Sequence, residues 1–322
     1  MFFRSESFLD FPELKQLGTY ALAGMVGLES YNNPSITSVS SNAFQGCTAL
    51  KRVELNSIEY LYPMFQGCAG LEYVSFGKVT KTSSYEHFSG CVNLNYVSMP
   101  LLSDIPNNFF ENCTALTISG LNMPALTRVG ERAFQGCTGL NNIPQTLTSI
   151  TTRSFANCLG LVNLSSDALT TITGSYAFEN SVNIRTVNFP ACSNYGSYAF
   201  KDLQHLNSVN FGSGNYSGYI YINPSAFENC TALTSLDFSN CKVVTLYTRA
   251  FADCINLTRF RFGQSKPSIN AAAFTGVTGC TFVFQKKSHY TSLSATSTSS
   301  FRYWIEKGEG MSNTVDWIEE DV

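Results

Sequence analysis

AFQGCTALKRVEL at residues 43–55 recurs in pattern as AFENCTALTSLDF at 226–238 and AFADCINLTRFRF at 250–262. Aligning on Phe44 finds the same frame at Phe65, Phe88, Phe110, Phe134, Phe155, Phe178, Phe200, Phe227, Phe251 and Phe274, with gaps of 21 to 27 residues. A degenerate copy around Leu22 adds one more, giving about twelve units with a mean period near 23 residues. Each unit reads roughly A-F-x-[GN]-C-x-x-L-x-x-V-x-F. The end of that pattern alternates with period two, as a half-buried strand does. Its beginning reads as a short helical turn or tight bend, where Gly or Asn suits a left-handed closing residue. A second apolar pair precedes many of the phenylalanines: Ile36 and Val39, Leu126 and Val129, Leu147 and Ile150, Leu169 and Ile172. These pairs are expected to form the opposite wall of each coil.

The units resemble the BspA-like class of leucine-rich repeat, a bacterial type of about 23 residues, over roughly residues 13–285. The resemblance implies a solenoid, a curved right-handed coil with one parallel β-sheet face and turns or short helices on the other. It implies a scaffold whose ligands vary from protein to protein, and a bacterial surface or secreted setting. With strands about 4.8 Å apart, twelve units make a rod on the order of 55 Å long. Such arrays need their exposed ends covered. The expected division is an N-terminal cap at 1–20, the solenoid at 21–285 and a C-terminal cap or tail at 286–322. The tail carries Phe301, Tyr303, Trp304 and Ile305 on a short helix or strand.

Three places depart from the pattern. After Leu116 the register slips by about two residues. The 27-residue gap between Phe200 and Phe227 contains a glycine-rich stretch with Tyr216, Tyr219 and Tyr221, expected to protrude as a loop. Phe282 and Phe284 break the spacing where the array ends.

Composition narrows the function. The 322 residues carry a net charge of −3 and only 13% are charged, against about a quarter in an average domain. No basic stripe recommends nucleic acid as a partner. No run of eighteen apolar residues suggests a membrane span. Residues 1–10 mix Phe2, Phe3 and Phe8 with Arg4, Glu6 and Asp10, unlike a signal peptide, so a leader is not visible and a cytoplasmic or particle-associated setting stays open. Of eleven cysteines, eight occupy one repeat slot, which Met25, Ser181, Leu203 and Val277 fill elsewhere. A slot that accepts Met, Leu and Val wants an apolar group facing inward, so the ladder reads as reduced core packing. No C-x-x-C pair occurs, and the three histidines (His87, His205 and His289) do not cluster with the cysteines, so neither a metal nor a cofactor is expected. No nucleotide-binding loop, zinc-protease or serine-hydrolase motif is present, and an enzyme is not expected.

The expected ligand face is the outside of the sheet, where the two residues flanking the buried valine of each unit point outward. That selects Arg52, Tyr73, Tyr96, Asn142, Asn163, Asn188, Asn210, Asp237, Arg259 and Arg261. The three tyrosines of the glycine-rich stretch are a second candidate. Two readings stay open for the face: a solvated strand surface, or a platform for a glycan or an extended protein segment. The expected function is an adhesin-like binding module that uses this face; the alternative, favoured by the absence of a visible leader and by the free thiols, is a structural or assembly component such as a particle spike.

Overall fold

The computed structural model describes residue 9 and residues 11–84, 86–212, 218–296, 300–306 and 312–319. The chain forms a parallel-strand solenoid, grouped into two compact units. The first comprises residues 1–147 with 153–160, and the second 148–152 with 161–322.

In the first unit, one sheet is built from Ser30–Asn32, Arg52–Glu54, Tyr73–Ser75, Tyr96–Ser98 and Leu121–Asn122, one strand per coil, all parallel and in register. The middle residue of each three-residue strand is buried and the flanking ones turn outward, so Tyr31, Val53, Val74 and Val97 face the core. In the second unit the same role falls to Asn163–Ser165, Thr186–Asn188 and Ser208–Asn210, and then to Ser235–Asp237, Arg259–Arg261 and Thr281–Lys286. The expected inward and outward residues are the observed ones at Arg52–Glu54, Tyr73–Ser75, Asn163–Ser165, Thr186–Asn188, Ser235–Asp237 and Arg259–Arg261, while Val209 in Ser208–Asn210 is only half-buried.

The opposite wall holds more than turns. Short parallel strands run there as well, among them Ser38–Val39 and Arg128–Val129 in the first unit. In the second unit they include Ser149–Ile150, Thr171–Ile172, Asn194–Tyr195, Tyr219–Ile222 and Val243–Leu246. Val39, Val129, Ile150 and Ile172, the second members of the apolar pairs, are the buried residues of these strands. Among the described residues, helix is confined to four short pieces, at Ile118–Gly120, Ala271–Phe274, Lys287–Thr291 and Phe301–Glu306.

The A-F-x-[GN]-C stretch is a run of tight turns. Gln45 N–H bonds to Asn42 O (3.0 Å), Cys47 N–H to Phe44 O (3.1 Å) and Leu50 N–H to Cys47 O (3.1 Å). The residue before cysteine is left-handed, as at Gly46 (φ 70°), Asn112 (59°) and Asn229 (59°). A second left-handed residue stands two before most of the phenylalanines, as at Asn42, Arg132, Tyr176, Tyr198 and Arg249, though not at Pro63, Glu86 or Ala272. Nothing in the composition of that position announces it. The phenylalanines stack into an inner column within each unit, with centroids 5.3–5.6 Å apart in the first and 4.9–5.9 Å apart in the second.

All eleven cysteines are buried and unpaired. The thiols of the repeat slot do more than fill space. Cys68, Cys113, Cys137 and Cys158 each donate to the carbonyl of the previous coil's phenylalanine at 3.0–3.1 Å. Burial pushes the Cys91 and Cys158 thiols up to about 12, which leaves them protonated and poor nucleophiles.

Two expectations need correction. Tyr219 and Tyr221 do not sit on a protruding loop. They lie on the strand Tyr219–Ile222, paired residue for residue with Val243–Leu246. Its Tyr-Ile-Tyr-Ile alternation buries Ile220 and Ile222 and exposes both tyrosines, the usual behaviour of β-branched and aromatic residues on a half-buried strand. Tyr216 falls outside the described residues. The second correction is Asn142, which is on no strand. The chain bends through 141–146, where Pro144 cannot donate to a ladder and the Asn142 side chain accepts the Ile143 N–H at 2.8 Å. The slip after Leu116 is real. The 3-10 turn Ile118–Gly120 absorbs the two extra residues, and Leu121 then pairs with Val97.

At the end of the array, Phe301 is buried against Phe274 and Phe282 at 5.7 and 4.9 Å. Thr314–Glu319 adds one more parallel strand to Thr281–Lys286.

Candidate functional site

Across the outer face of the first unit, the column Arg52, Tyr73, Tyr96 forms a three-layer stack. The tyrosine rings lie 4.6 Å apart and within 6° of parallel, and the Arg52 guanidinium sits 3.6 Å over the Tyr73 centroid. Parallel pairing brings successive coils to strand spacing and so sets this ring separation without side-chain strain. Glu54 on the same strand receives Arg52 at 2.7 Å and fixes the guanidinium over the ring. The next position in the column is Gly120, beside Tyr96 because Leu121 pairs with Val97. A Cβ there would come within 1.9 Å of the Asn95 carbonyl, so the site requires glycine, and the column adds no side chain over the far side of Tyr96.

The parallel column continues the surface. Ser75 donates to Asn56 at 2.8 Å and Asn122 to Ser98 at 2.9 Å. Beside Asn122 opens a cleft of about 200 Å³, lined among others by Ile118, Leu121, Pro124 and Pro144. An aromatic and cationic platform therefore adjoins an apolar recess.

The second unit's face differs. Thr186 donates to Asn163 at 2.9 Å and Asn210 to Asn188 at 2.6 Å, so these amides bond to each other along the coils. Asp237 and Arg261 approach to 3.7 Å, and Arg259 stands beside Ser235 in the other column. The face residues of this unit form two local groups, the amides and the Asp237–Arg261 pair.

A pair that sequence reasoning missed lies on the turn side of the second unit. Tyr176 and Tyr198 stack at 4.6 Å and 5°, both on left-handed backbone. They line a cleft of about 130 Å³ with Glu179, Val182 and Lys201. Their spacing of one repeat was the available signal. Nearby, Glu228 is a buried charge held by Lys201 (3.0 Å) and Arg249 (3.1 Å). Burial opposes its ionisation, but Arg249, Ser225 and Lys201 outweigh that and hold its carboxyl down to about 2.

The histidines occupy unlike environments. His87 is buried in an alanine slot and His205 is exposed. No group of three or more His, Cys, Asp or Glu among the described residues is placed to hold a metal ion. No helix among them is long and apolar enough to cross a membrane.

A repeat of strand, turn and short strand, with stacked phenylalanines inside, defines a leucine-rich-repeat protein. The chain belongs to the family of the BspA type leucine rich repeat region (6 copies), whose model matches residues 4–117, 117–217 and 216–304. Its fold is similar to that of a leucine-rich repeat protein from Bacteroides ovatus, with 18% identity, 95% of this chain and 88% of that one covered, and a TM-score of 0.54. A leucine rich cell surface protein from Faecalibacterium prausnitzii is also similar, with 18% identity, 91% of each chain covered and a TM-score of 0.36. The T. pallidum leucine rich repeat protein shares 23% identity over 62% of this chain and 78% of that one, with a TM-score of 0.39. Among curated proteins none matches.

Proposed function

We propose that this protein is a non-enzymatic, cofactor-free binding module of the bacterial cell surface or of secretions. In this reading it acts as an adhesin, recognising a host protein, matrix component or glycan through its sheet face. The observation that carries the reading is the Arg52–Tyr73–Tyr96 stack. Rigid aromatic side chains offer large contact area at little entropic cost, and arginine beside them is typical of binding hot spots. The apolar recess at Leu121 and Pro124 favours an extended protein segment as ligand, since it can receive one apolar side chain next to the platform. The repeat family supplies the scaffold, and the surface setting is inferred from that family's bacterial members.

The test is a binding screen against immobilised matrix proteins and a glycan array, with wild type beside a Tyr73→Ala/Tyr96→Ala variant of equal melting temperature. A specific hit that weakens at least about tenfold in the variant, the equivalent of 1.4 kcal/mol, supports the reading. Equal binding by both proteins removes the sheet face from it. A blank on both favours the second reading, a structural or assembly component. The Asn188 and Asn210 amides, bonded to each other, and Asn163, bonded to the Thr186 hydroxyl, favour that role for the second unit's face.

A further inference from the structure

On the outer side of the second unit, one residue of each coil stands between the buried Leu or Ile and the strand that follows it. Val162, Arg185 and Asn207 fill that position in three successive coils. Their backbones are tied: the Arg185 N–H donates to the Val162 carbonyl (2.7 Å) and the Asn207 N–H to the Arg185 carbonyl (2.9 Å). Valine is the short member of this row. Beside it opens a cleft of about 430 Å³, lined by Val162, Asn163, Asn183, Arg185 and His205. All five belong to the second unit.

The charge in this wall is uncompensated. Arg52, Arg128, Arg132, Arg249, Arg261 and Arg302 each meet a carboxylate. Arg185 meets none among the described residues, and its side chain has no hydrogen-bond partner among them. No Asp or Glu lines the cleft. The free hydrogen-bonding groups around Arg185 are of one kind. The Asn163 carbonyl oxygen already accepts from the Thr186 hydroxyl at 2.9 Å, while its Nδ2 finds no acceptor among the described residues. His205 is exposed and likewise unpartnered among them, and an imidazole carries an N–H in either tautomer. Donors left without acceptors call for a ligand rich in acceptors. A guanidinium without a counter-ion requires that ligand to be negative.

We propose that this cleft binds an acidic sugar residue, its carboxylate or sulfate received by Arg185, His205 and Nδ2 of Asn163, and a C–H face of its ring laid on Val162. The planar guanidinium fork matches two oxygens of such a group. No aromatic ring lines the cleft, so a nucleobase has nothing to stack on. Val162 is the one aliphatic side chain in the wall, enough for one ring face but not for the cluster of apolar anchors that holds a peptide. The volume falls in the range of small-molecule sites. The cleft takes Asn163 from the sheet face of the second unit and does not depend on the tyrosine platform of the first.

The experiment is an NMR titration of the full chain, following the Asn163 Nδ2 and Arg185 Nε resonances. The ligands are glucuronic acid, N-acetylneuraminic acid and a sulfated galactose, beside glucose, galactose, acetate and inorganic sulfate, all at millimolar concentration. Wild type is compared with Arg185→Gln and with Tyr73→Ala/Tyr96→Ala. Arg185 is exposed and lies outside the strand, so the glutamine variant retains the fold. At least one acidic sugar is expected to bind about tenfold or more tightly than its neutral counterpart and than the bare anions, as one charge-assisted contact gives. Arg185→Gln should weaken that sugar by a similar factor, and the tyrosine variant should bind it as wild type does. The proposal is overturned if no acidic sugar moves the resonances, or if a neutral sugar or a bare anion binds as tightly. Binding that survives in Arg185→Gln overturns it as well. Loss in the tyrosine variant would assign the sugar to the first unit, with the same consequence.

Discussion

Each unit carries two columns of side chains, one inside and one on the sheet face, and they obey different rules. The inner column of phenylalanines is uniform, the rings stacked within each unit and wholly or almost wholly buried. The outer column of the sheet is heterogeneous: arginine, tyrosine, tyrosine, glycine in the first unit, and asparagine, threonine, serine in the second. The inner column is constrained by volume from both sides, so almost any departure costs packing. The outer column is constrained only by strand compatibility, so its departures are free to encode recognition. Uniformity marks what holds the coil, and irregularity marks where a partner can be told apart.

The largest effect should come from breaking the inner column. Phe134 is fully buried between Phe110 and Phe155, at 5.3 Å from each. Phe134→Ala should cost about 3–5 kcal/mol, the range for a buried aromatic that leaves a cavity. Urea unfolding followed by circular dichroism reads this directly. A loss below about 1 kcal/mol would mean that the stack relaxes around the gap and is not the constraint described.

Glu228 tests whether a polar departure on the turn side can matter as much. Its carboxyl is held near 2, against 4.5 in an unfolded chain, by Arg249 and Lys201 acting against burial. A depressed acid contributes stability that is present above pH 4.5 and is lost as pH falls toward 2. The shift corresponds to roughly 3 kcal/mol at neutral pH. Glu228→Gln should therefore unfold more easily than wild type at pH 7, with the two converging near pH 2. A difference that stays constant across that range would assign the effect to shape and not to charge.

Much of this was legible from residues alone, and the limits have physical causes. The sheet register could be read because Leu50, Val53 and Leu55 recur in phase, and a period-two strand places every outward residue once one is placed. The second row of strands was only half visible. Its members are mostly two residues long, as at Thr171–Ile172, and two residues carry no periodicity. The left-handed residue two before most of the phenylalanines was hidden because Asn42, Arg132 and Tyr176 share no side-chain chemistry. The Tyr176–Tyr198 stack was signalled only by a spacing of one repeat, with no strand alternation beside it. Tyr219 and Tyr221 were misplaced because the neighbouring glycines outweighed a four-residue alternation. The platform was legible as a column, but its stacking and the glycine beside Tyr96 were not.

On the outer face, the tyrosine pair should contribute modestly to folding. A double-mutant cycle on Tyr73→Ala and Tyr96→Ala should give a coupling of about 0.5–1.5 kcal/mol, as stacked aromatic pairs do. Zero coupling would mean that the rings are held by their own strands and stack only by proximity. A coupling well above that range would make the platform part of the fold and weaken its claim to be a binding surface.

The smallest effect belongs to Ser208, exposed on the second unit's face and paired through its backbone with Thr186. Its strand partner and its buried neighbours stay in place when the hydroxyl is removed, and alanine loses only a modest strand preference. Ser208→Ala should change stability by less than about 0.5 kcal/mol, measured by the same urea titration as Phe134→Ala. The comparison of columns depends on this pair of numbers being far apart. If Ser208→Ala cost as much as Phe134→Ala, the outward assignment of the strand would be wrong by one residue, because a one-residue slip exchanges the two faces entirely. Every residue placed on the platform would then belong inside.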